Sequence, residues 1–172
     1  TNYQQLFQVF STIDKTVDIE VSNAIILGVL FILVGMLFKL SAAPFHLWAP
    51  DVYEGAPTSV TAFFAIVPKI AILSLVVRLF SYVFYGLLLP WQEVLILCSL
   101  LSMIVGTLGA LWQKKIKRLL AYSGIGHIGY MLIGISTGSI EGIYATFFYV
   151  IIYIVMTVAT FSILLSIRRQ GN

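Results

Sequence analysis

The chain has 172 residues, of which 60% are hydrophobic and only 10% are charged, and its net charge is +3. Soluble domains average about 25% charged residues, so this composition excludes an ordinary soluble domain and indicates a membrane protein. The positive charge then reports orientation in the membrane and not nucleic-acid binding. A single cysteine, Cys98, excludes an intramolecular disulfide bond and a cysteine-ligated metal cluster.

Apolar stretches long enough to cross a membrane begin after residue 22, because a transmembrane helix needs about 20 apolar residues. Residues 1–22 are polar and carry charges of both signs, and we interpret them as an extramembrane loop. Residues 23–172 are predicted to form a single membrane domain. Its spans are expected at residues 23–43 with an extension over 44–53, and then at 58–84, 91–112, 119–137 and 140–167. The predicted fold class is therefore all-α, a polytopic membrane protein with five transmembrane helices, the first of them broken.

Basic residues between the third and fourth spans and after the fifth predict the orientation of the chain. They are Lys114, Lys115, Lys117, Arg118, Arg168 and Arg169. Successive spans alternate sides, so both clusters fall on one side, which the positive-inside rule makes the matrix or cytoplasmic side. The chain starts at Thr1 without a methionine and stops just after the second cluster, so we expect a split-gene product or part of a longer chain.

A helix break is predicted where the first span meets Pro44. Proline has no N–H to donate, and it disfavours helical geometry in the residue before it. The predicted break comprises Leu40, Ser41, Ala42, Ala43 and Pro44. A charged residue beside such a break, here Lys39, is a candidate functional group, although a lysine at a span end also snorkels to the interface. His46 follows the break and is interpreted either as a proton relay or as a cap of the broken helix.

Lys69 and His127 are two further candidate residues, and both lie inside predicted spans. Lys69 follows Pro68 and has apolar residues for about two helical turns on either side, too deep for easy snorkelling. A lysine so placed can exchange a proton, and the alternative is a structural lysine paired with a hidden carboxylate. His127 can accept and donate protons, and the alternative is a hydrogen-bonded core histidine. Together these residues indicate a proton or cation pathway.

Residues 124–129 match the G-x-G-x-x-G pattern of dinucleotide-binding proteins. That pattern requires a preceding strand and a βαβ unit, whereas here it lies in an apolar span after a basic loop. We therefore reject nucleotide binding, and we expect no cofactor and no metal ion in this chain.

Residues 38–57 read Phe-Lys-Leu-Ser-Ala-Ala-Pro-Phe-His-Leu-Trp-Ala-Pro-Asp-Val-Tyr-Glu-Gly-Ala-Pro. This stretch resembles the signature of the subunit 2 family among the antiporter-like membrane subunits of the proton-pumping NADH:quinone oxidoreductase, respiratory complex I. Three more stretches resemble other motifs of the same family, at residues 64–70, 117–123 and 126–131. The resemblance covers nearly everything from about residue 24 onward, and residues 1–22 carry none.

The resemblance implies part of a bundle of about fourteen helices built from two inverted repeats. It implies a subunit that couples NADH oxidation and quinone reduction to proton translocation, with Lys39 and Lys69 as protonatable groups and His127 as a relay. NADH, FMN, iron–sulfur clusters and ubiquinone would be bound by other subunits. The implied partners are other membrane-arm subunits and lipids, in the mitochondrial inner membrane or, alternatively, a bacterial plasma membrane.

The family pathway also uses a glutamate on an upstream helix and a lysine on a downstream broken helix, and this chain contains neither helix. A second polypeptide, a longer chain, or loss of pumping would each account for the departure. Two other functions stay open from the sequence. One is a subunit of a cation/proton antiporter or membrane-bound hydrogenase, and the other is a structural remnant of the membrane arm.

Overall fold

The computed structural model of the chain describes residues 4, 5, 8 and 19–170. Within this part of the chain six helices of at least two turns follow one another. They are α1 (Ile19–Leu40), α2 (Trp48–Gly55), α3 (Thr58–Arg78), α4 (Leu88–Leu111), α5 (Ile116–Ser136) and α6 (Ile140–Gln170). A π-helical turn, Leu79–Val83, and a short 3-10 helix, Tyr85–Leu87, connect α3 to α4.

Five of the helical segments are long and apolar enough to cross a membrane, which confirms the predicted fold class. They are Asn23–Leu40, Thr58–Val83, Tyr85–Leu111, Ile116–Ser136 and Ile140–Ile167. Helix α1 begins at Ile19, inside the segment interpreted as a loop, and Gln4, Gln5 and Gln8 are helical too. The rest of the predicted loop at residues 1–22 lies outside the described residues.

Like α1, two further helices begin earlier than the sequence predicts. Helix α4 begins at Leu88 instead of residue 91 and includes Pro90, because the first turn of a helix does not need the N–H that proline lacks. Helix α5 begins at Ile116 instead of residue 119 and includes Lys117 and Arg118. Both basic side chains have partners at the end of α2 or directly after it, so their charges are tolerated at the helix start.

The chain leaves helical geometry directly after Leu40. Ser41 has a left-handed backbone with φ of 57° and donates its N–H to the carbonyl of Phe38. The N–H of Ala42 reaches the carbonyl of Leu37, which completes a Schellman-type helix end. The Ala43–Pro44 peptide bond is cis, and the next helix begins at Trp48.

The backbone groups that the break releases are satisfied by other parts of the bundle. The N–H of Ala43 donates to the Ser102 hydroxyl on α4 at 2.8 Å, and the Trp48 indole donates to the carbonyl of Phe38 at 3.0 Å. Backbone groups in a membrane must find partners inside the protein, because lipid offers none. The break is therefore held in place by α4.

Helix α5 is the most enclosed of the five spans and packs most closely against α4. Gly106 of α4 and Gly126 of α5 lie where the two backbones meet. A Cβ atom on Gly106 would overlap the backbone of Gly126, whereas a Cβ on Gly126 would lie 3.9 Å from the Cα of Gly106. The Ser99 hydroxyl also donates to the carbonyl of Gly129 at 2.7 Å. Small residues allow this close approach, as expected between membrane helices.

Charged side chains join α2 to the start of α5. Arg118 contacts Asp51 at 3.0 Å and Glu54 at 3.1 Å, and Lys115 forms a second ion pair with Glu54. The Lys117 Nζ donates to the carbonyl of Ala56 at 2.6 Å. We call Asp51, Glu54, Lys115 and Arg118 the loop network. It places the acidic turn and the basic cluster at the same end of the bundle.

Replacing Glu54 by glutamine should destabilise the chain in a pH-dependent way. The hydrogen bond and charge of Lys115, together with Arg118, hold the pKa of Glu54 below its ordinary value. A carboxylate whose pKa is lowered by folding adds stability above its unfolded pKa of about 4.3, and this stability is lost as the pH falls through the folded pKa. The unfolding temperature of Glu54→Gln should therefore lie below that of the unmodified protein at pH 7. The difference between the two temperatures should shrink below about pH 4.

The matched control is Asp51→Asn, since the Asp51 side chain is 73% exposed and the Glu54 side chain only 27%. An exposed ion pair contributes little, so the control should lower the unfolding temperature less. A Glu54→Gln effect that stays constant from pH 7 to pH 3 would contradict the role given to the ion pairs.

Candidate functional site

Lys69 lies inside α3, directly after Pro68, and only 3% of its surface is exposed. Its Nζ donates a hydrogen bond to the hydroxyl of Tyr153 on α6 at 3.4 Å. The same Nζ lies 5.6 Å from the ring centroid of Tyr153 and 6.0 Å from that of Tyr53 on α2, within the range of cation–π attraction. In the part of the chain that the structure describes, the ion pairs all belong to the loop network. The surroundings of Lys69 are therefore aromatic hydroxyls and not a carboxylate.

The Tyr153 hydroxyl links the ammonium of Lys69 to the backbone of α3, the helix that carries Lys69. While it accepts the hydrogen bond from Lys69, it donates to the carbonyl of Ala65 at 3.0 Å. Ala65 lies one helical turn before Lys69, and Tyr153 itself is 5% exposed. The buried ammonium and the buried hydroxyl are thus held by one another and by α3.

His127 of α5 lies beside the Tyr153 ring. The two ring centroids are 5.2 Å apart, and Nδ1 of His127 lies 2.8 Å from the hydroxyl of Tyr149, one turn earlier on α6. Either of these two groups can donate the hydrogen bond, depending on the tautomer of the imidazole. Contacts therefore link Lys69 to Tyr153, Tyr153 to His127 and His127 to Tyr149.

Two cavities meet at His127. The inner cavity has a volume of about 140 Å³ and is lined by Ser123, Gly124, His127, Tyr153 and Thr157, among others. The outer cavity has a volume of about 510 Å³, and its lining includes Thr107, Gln113, Ser123, His127 and Tyr130. Both volumes have room for several water molecules, and their hydroxyl, amide and imidazole groups are suitable partners for water. An imidazole at such a boundary can take a proton from one cavity and release it to the other.

Lys39 and His46, the other predicted site residues, lie outside this cluster. Lys39 is exposed on α1 in this chain, whereas Lys69 is buried. His46 is 9% exposed, its Nδ1 has no hydrogen-bond partner, and its ring centroid lies 6.4 Å from that of Tyr122. The structure thus brings Lys69 and His127 together through tyrosines and does not add Lys39 or His46 to them.

The sequence analysis missed the tyrosines that surround Lys69. Tyr149 and Tyr153 are four residues apart on α6, so they share one helix face, and Thr157 continues that face into the inner cavity. A polar stripe of this kind inside an otherwise apolar span was the available signal. Tyr53 belongs to the motif after the break and gave no separate indication.

The glycines of the rejected G-x-G-x-x-G pattern have packing roles. A Cβ atom on Gly124 would lie 2.7 Å from Nζ of Lys69, and one on Gly129 would lie 2.8 Å from the carbonyl oxygen of Ser99. Gly126 faces Gly106 across the contact between α4 and α5. One glycine makes room for the lysine, and the other two make room for the neighbouring helix.

Metal or cofactor chemistry would require clustered ligands. Among the described residues, no three His, Cys, Asp or Glu side chains come close enough to hold a metal ion. Cys98 is free and buried between the helices. The arrangement around Lys69 and His127 is instead suited to moving protons, because His127 lines the inner cavity and Lys69 is hydrogen-bonded to Tyr153, which lines the same cavity.

Comparison with known proteins identifies a family. The sequence profile of the family described as NADH:quinone oxidoreductase/Mrp antiporter, TM, matches residues 2–172. The chain is 52% identical over 170 residues to NADH-ubiquinone oxidoreductase chain 2 of Marchantia polymorpha, covering 99% of this chain and 34% of that protein.

Two further relatives are similar. NADH-quinone oxidoreductase subunit N of Rhodospirillum rubrum is 52% identical over 152 residues, which are 88% of this chain and 31% of that protein. NADH-ubiquinone oxidoreductase chain 2 of Arabidopsis thaliana is 53% identical over 148 residues, which are 86% of this chain and 29% of that protein. The chain therefore spans about a third of the length of the curated relatives it matches.

Proposed function

The chain belongs to the NADH:quinone oxidoreductase/Mrp antiporter transmembrane family, and we propose that it forms the proton-translocating part of a membrane-arm subunit of NADH:ubiquinone oxidoreductase. The observation that carries this proposal is the buried Lys69, held by Tyr153, which lines a cavity of about 140 Å³ together with His127. An ionisable residue at such depth is costly to insert, so a use in transport is a better account than chance.

The proposed proton step follows from this arrangement. The ammonium of Lys69 releases a proton to water in the inner cavity, and the imidazole of His127 accepts it. His127 also lines the outer cavity, so it can release the proton there. Lys69 stays neutral until it takes up another proton. Each charge that crosses the full membrane gains or loses about 2.3 kcal/mol per 100 mV, so a modest change in the proton affinity of Lys69 suffices to drive a step.

The redox reactions belong to other parts of the assembly in this proposal. NADH, FMN, iron–sulfur clusters and ubiquinone would be bound by other subunits, and this chain would contribute to the enzyme as its translocase. Relatives named NADH-ubiquinone oxidoreductase chain 2 from two plants support a position in the mitochondrial inner membrane. Because other relatives are bacterial, the alternative position of this chain is a bacterial plasma membrane.

The helices that complete the two inverted repeats would come from the remainder of a longer chain or from a second polypeptide. Native purification of the chain from its membrane, followed by mass spectrometry, tests the proposed assembly. We expect other antiporter-like subunits and the NADH-oxidising arm to co-purify. Recovery with cation/proton antiporter or hydrogenase subunits alone would favour the alternative function, and a stable monomer without partners would refute the proposal.

A further inference from the structure

We propose that Tyr153 is a positioning residue that holds the ammonium of Lys69 beside the inner cavity, from which water carries its proton to His127. This inference rests on the proposed function, since it concerns how the same site works. It is carried by the hydrogen bonds of Tyr153, by the place of Tyr153 and His127 in the lining of the same cavity and by the room that Gly124 leaves.

The hydroxyl of Tyr153 has one proton, and the structure commits that proton to the carbonyl of Ala65 at 3.0 Å. One of its lone pairs accepts from Lys69 at 3.4 Å. The hydroxyl therefore anchors the ammonium and has no second proton to hand on to an imidazole. Tyr153 acts through Lys69 and is not itself a carrier.

The ring of Tyr153 lies close to His127. The ring centroids are 5.2 Å apart, and Nδ1 of the imidazole lies 2.8 Å from the hydroxyl of Tyr149. Both His127 and Tyr153 line the inner cavity, whose volume of about 140 Å³ accommodates water. Water in this cavity is the route that we infer for the proton.

Gly124 completes the positioning of the ammonium. A Cβ atom there would lie 2.7 Å from Nζ of Lys69 and 3.6 Å from the Tyr153 hydroxyl. The ammonium thus occupies the space between Tyr153 and the backbone of α5, next to the inner cavity that Gly124 also lines. A side chain at this position would force Nζ to move from where it now lies.

The test is Tyr153→Phe in the intact, assembled complex. Phenylalanine keeps the ring and removes the acceptor of the Lys69 hydrogen bond. We expect normal assembly and about a tenfold loss of proton-coupled turnover, since a hydrogen bond to a charged group is lost. The titratable groups near Lys69 are Tyr53 from α2, Tyr153 from α6 and, next to the Tyr153 ring, His127 from α5. The pH profile of pumping should shift to lower pH, because the ammonium form of Lys69 has lost a stabilising partner.

Tyr144→Phe is the matched control, because Tyr144 lies on the same helix and is 70% exposed. It should leave both the rate and the pH profile unchanged. A second variant, Gly124→Ala, keeps the Tyr153 side chain, forces Nζ of Lys69 to move and should also impair pumping. Its control on the same helix is Gly126→Ala, whose added methyl group meets only an ordinary contact at 3.9 Å.

The outcomes separate this inference from the proposed function. If Lys69→Met stops pumping while Tyr153→Phe keeps the normal rate and pH profile, the positioning role is wrong and the proposed function stands. If Lys69→Met pumps normally, the proposed function is wrong and the positioning role falls with it. If Tyr153→Phe does not assemble, Gly124→Ala decides: impaired pumping supports the inference, and normal pumping overturns it.

Discussion

Replacing Lys69 by methionine is expected to reduce proton-coupled NADH:quinone turnover by about tenfold or more, because a positioned proton-transfer group contributes about 10²–10⁴-fold to its step. Methionine keeps the bulk of the side chain and removes the titratable amine. Assembly and NADH oxidation with an artificial acceptor should stay nearly intact, since neither uses this site. The measurement is the proton-to-electron ratio of the purified complex in sealed vesicles.

Lys69→Arg separates charge from proton exchange. The guanidinium keeps the positive charge but does not release its proton, so this variant should also fail to pump. Lys114→Met is the matched control, because Lys114 is an exposed lysine in the connection between α4 and α5. It should pump normally. If the assembled Lys69→Met complex pumps at the normal proton-to-electron ratio, Lys69 is a structural residue.

Replacing Gly106 by alanine is expected to destabilise the bundle by about 1–3 kcal/mol, the usual effect of forcing an extra methyl group into a packed contact. The added Cβ would overlap backbone atoms of Gly126 and approach the carbonyl of Tyr122 at 2.9 Å. Backbone cannot move aside as the end of a side chain can, so α4 and α5 would have to separate. Thermal unfolding in detergent and the amount of assembled protein both measure the effect.

Gly126→Ala places the same methyl group on the opposite side of the same contact. Its nearest neighbour is the Cα of Gly106 at 3.9 Å, an ordinary van der Waals distance. Alanine also favours a helix over glycine by roughly 1 kcal/mol, so this variant should be neutral or slightly more stable. Equal destabilisation by Gly106→Ala and Gly126→Ala would show that the close approach of α4 and α5 is not as described.

Several features of the fold could be predicted from local sequence. Apolar runs near 20 residues long predicted five membrane helices, and the structure confirms that class of fold. The end of α1 before Pro44 and the depth of Lys69 inside α3 depend on proline chemistry and hydropathy, which are local properties. Hydropathy also predicted that Lys69 and His127 lie inside membrane spans. Their roles in proton transfer stay predictions.

The sequence by itself determined where the helices run and which of them contain titratable groups. Only the tertiary structure decided that tyrosines surround Lys69, that His127 joins it and that Lys39 does not. The hydrogen bond between Lys69 and Tyr153 spans 84 residues of sequence, and which faces of α3 and α6 meet depends on helix packing. In spans that are apolar on every side, hydropathy does not identify the inward face, so rotation is set by close contacts such as Gly124 against Lys69.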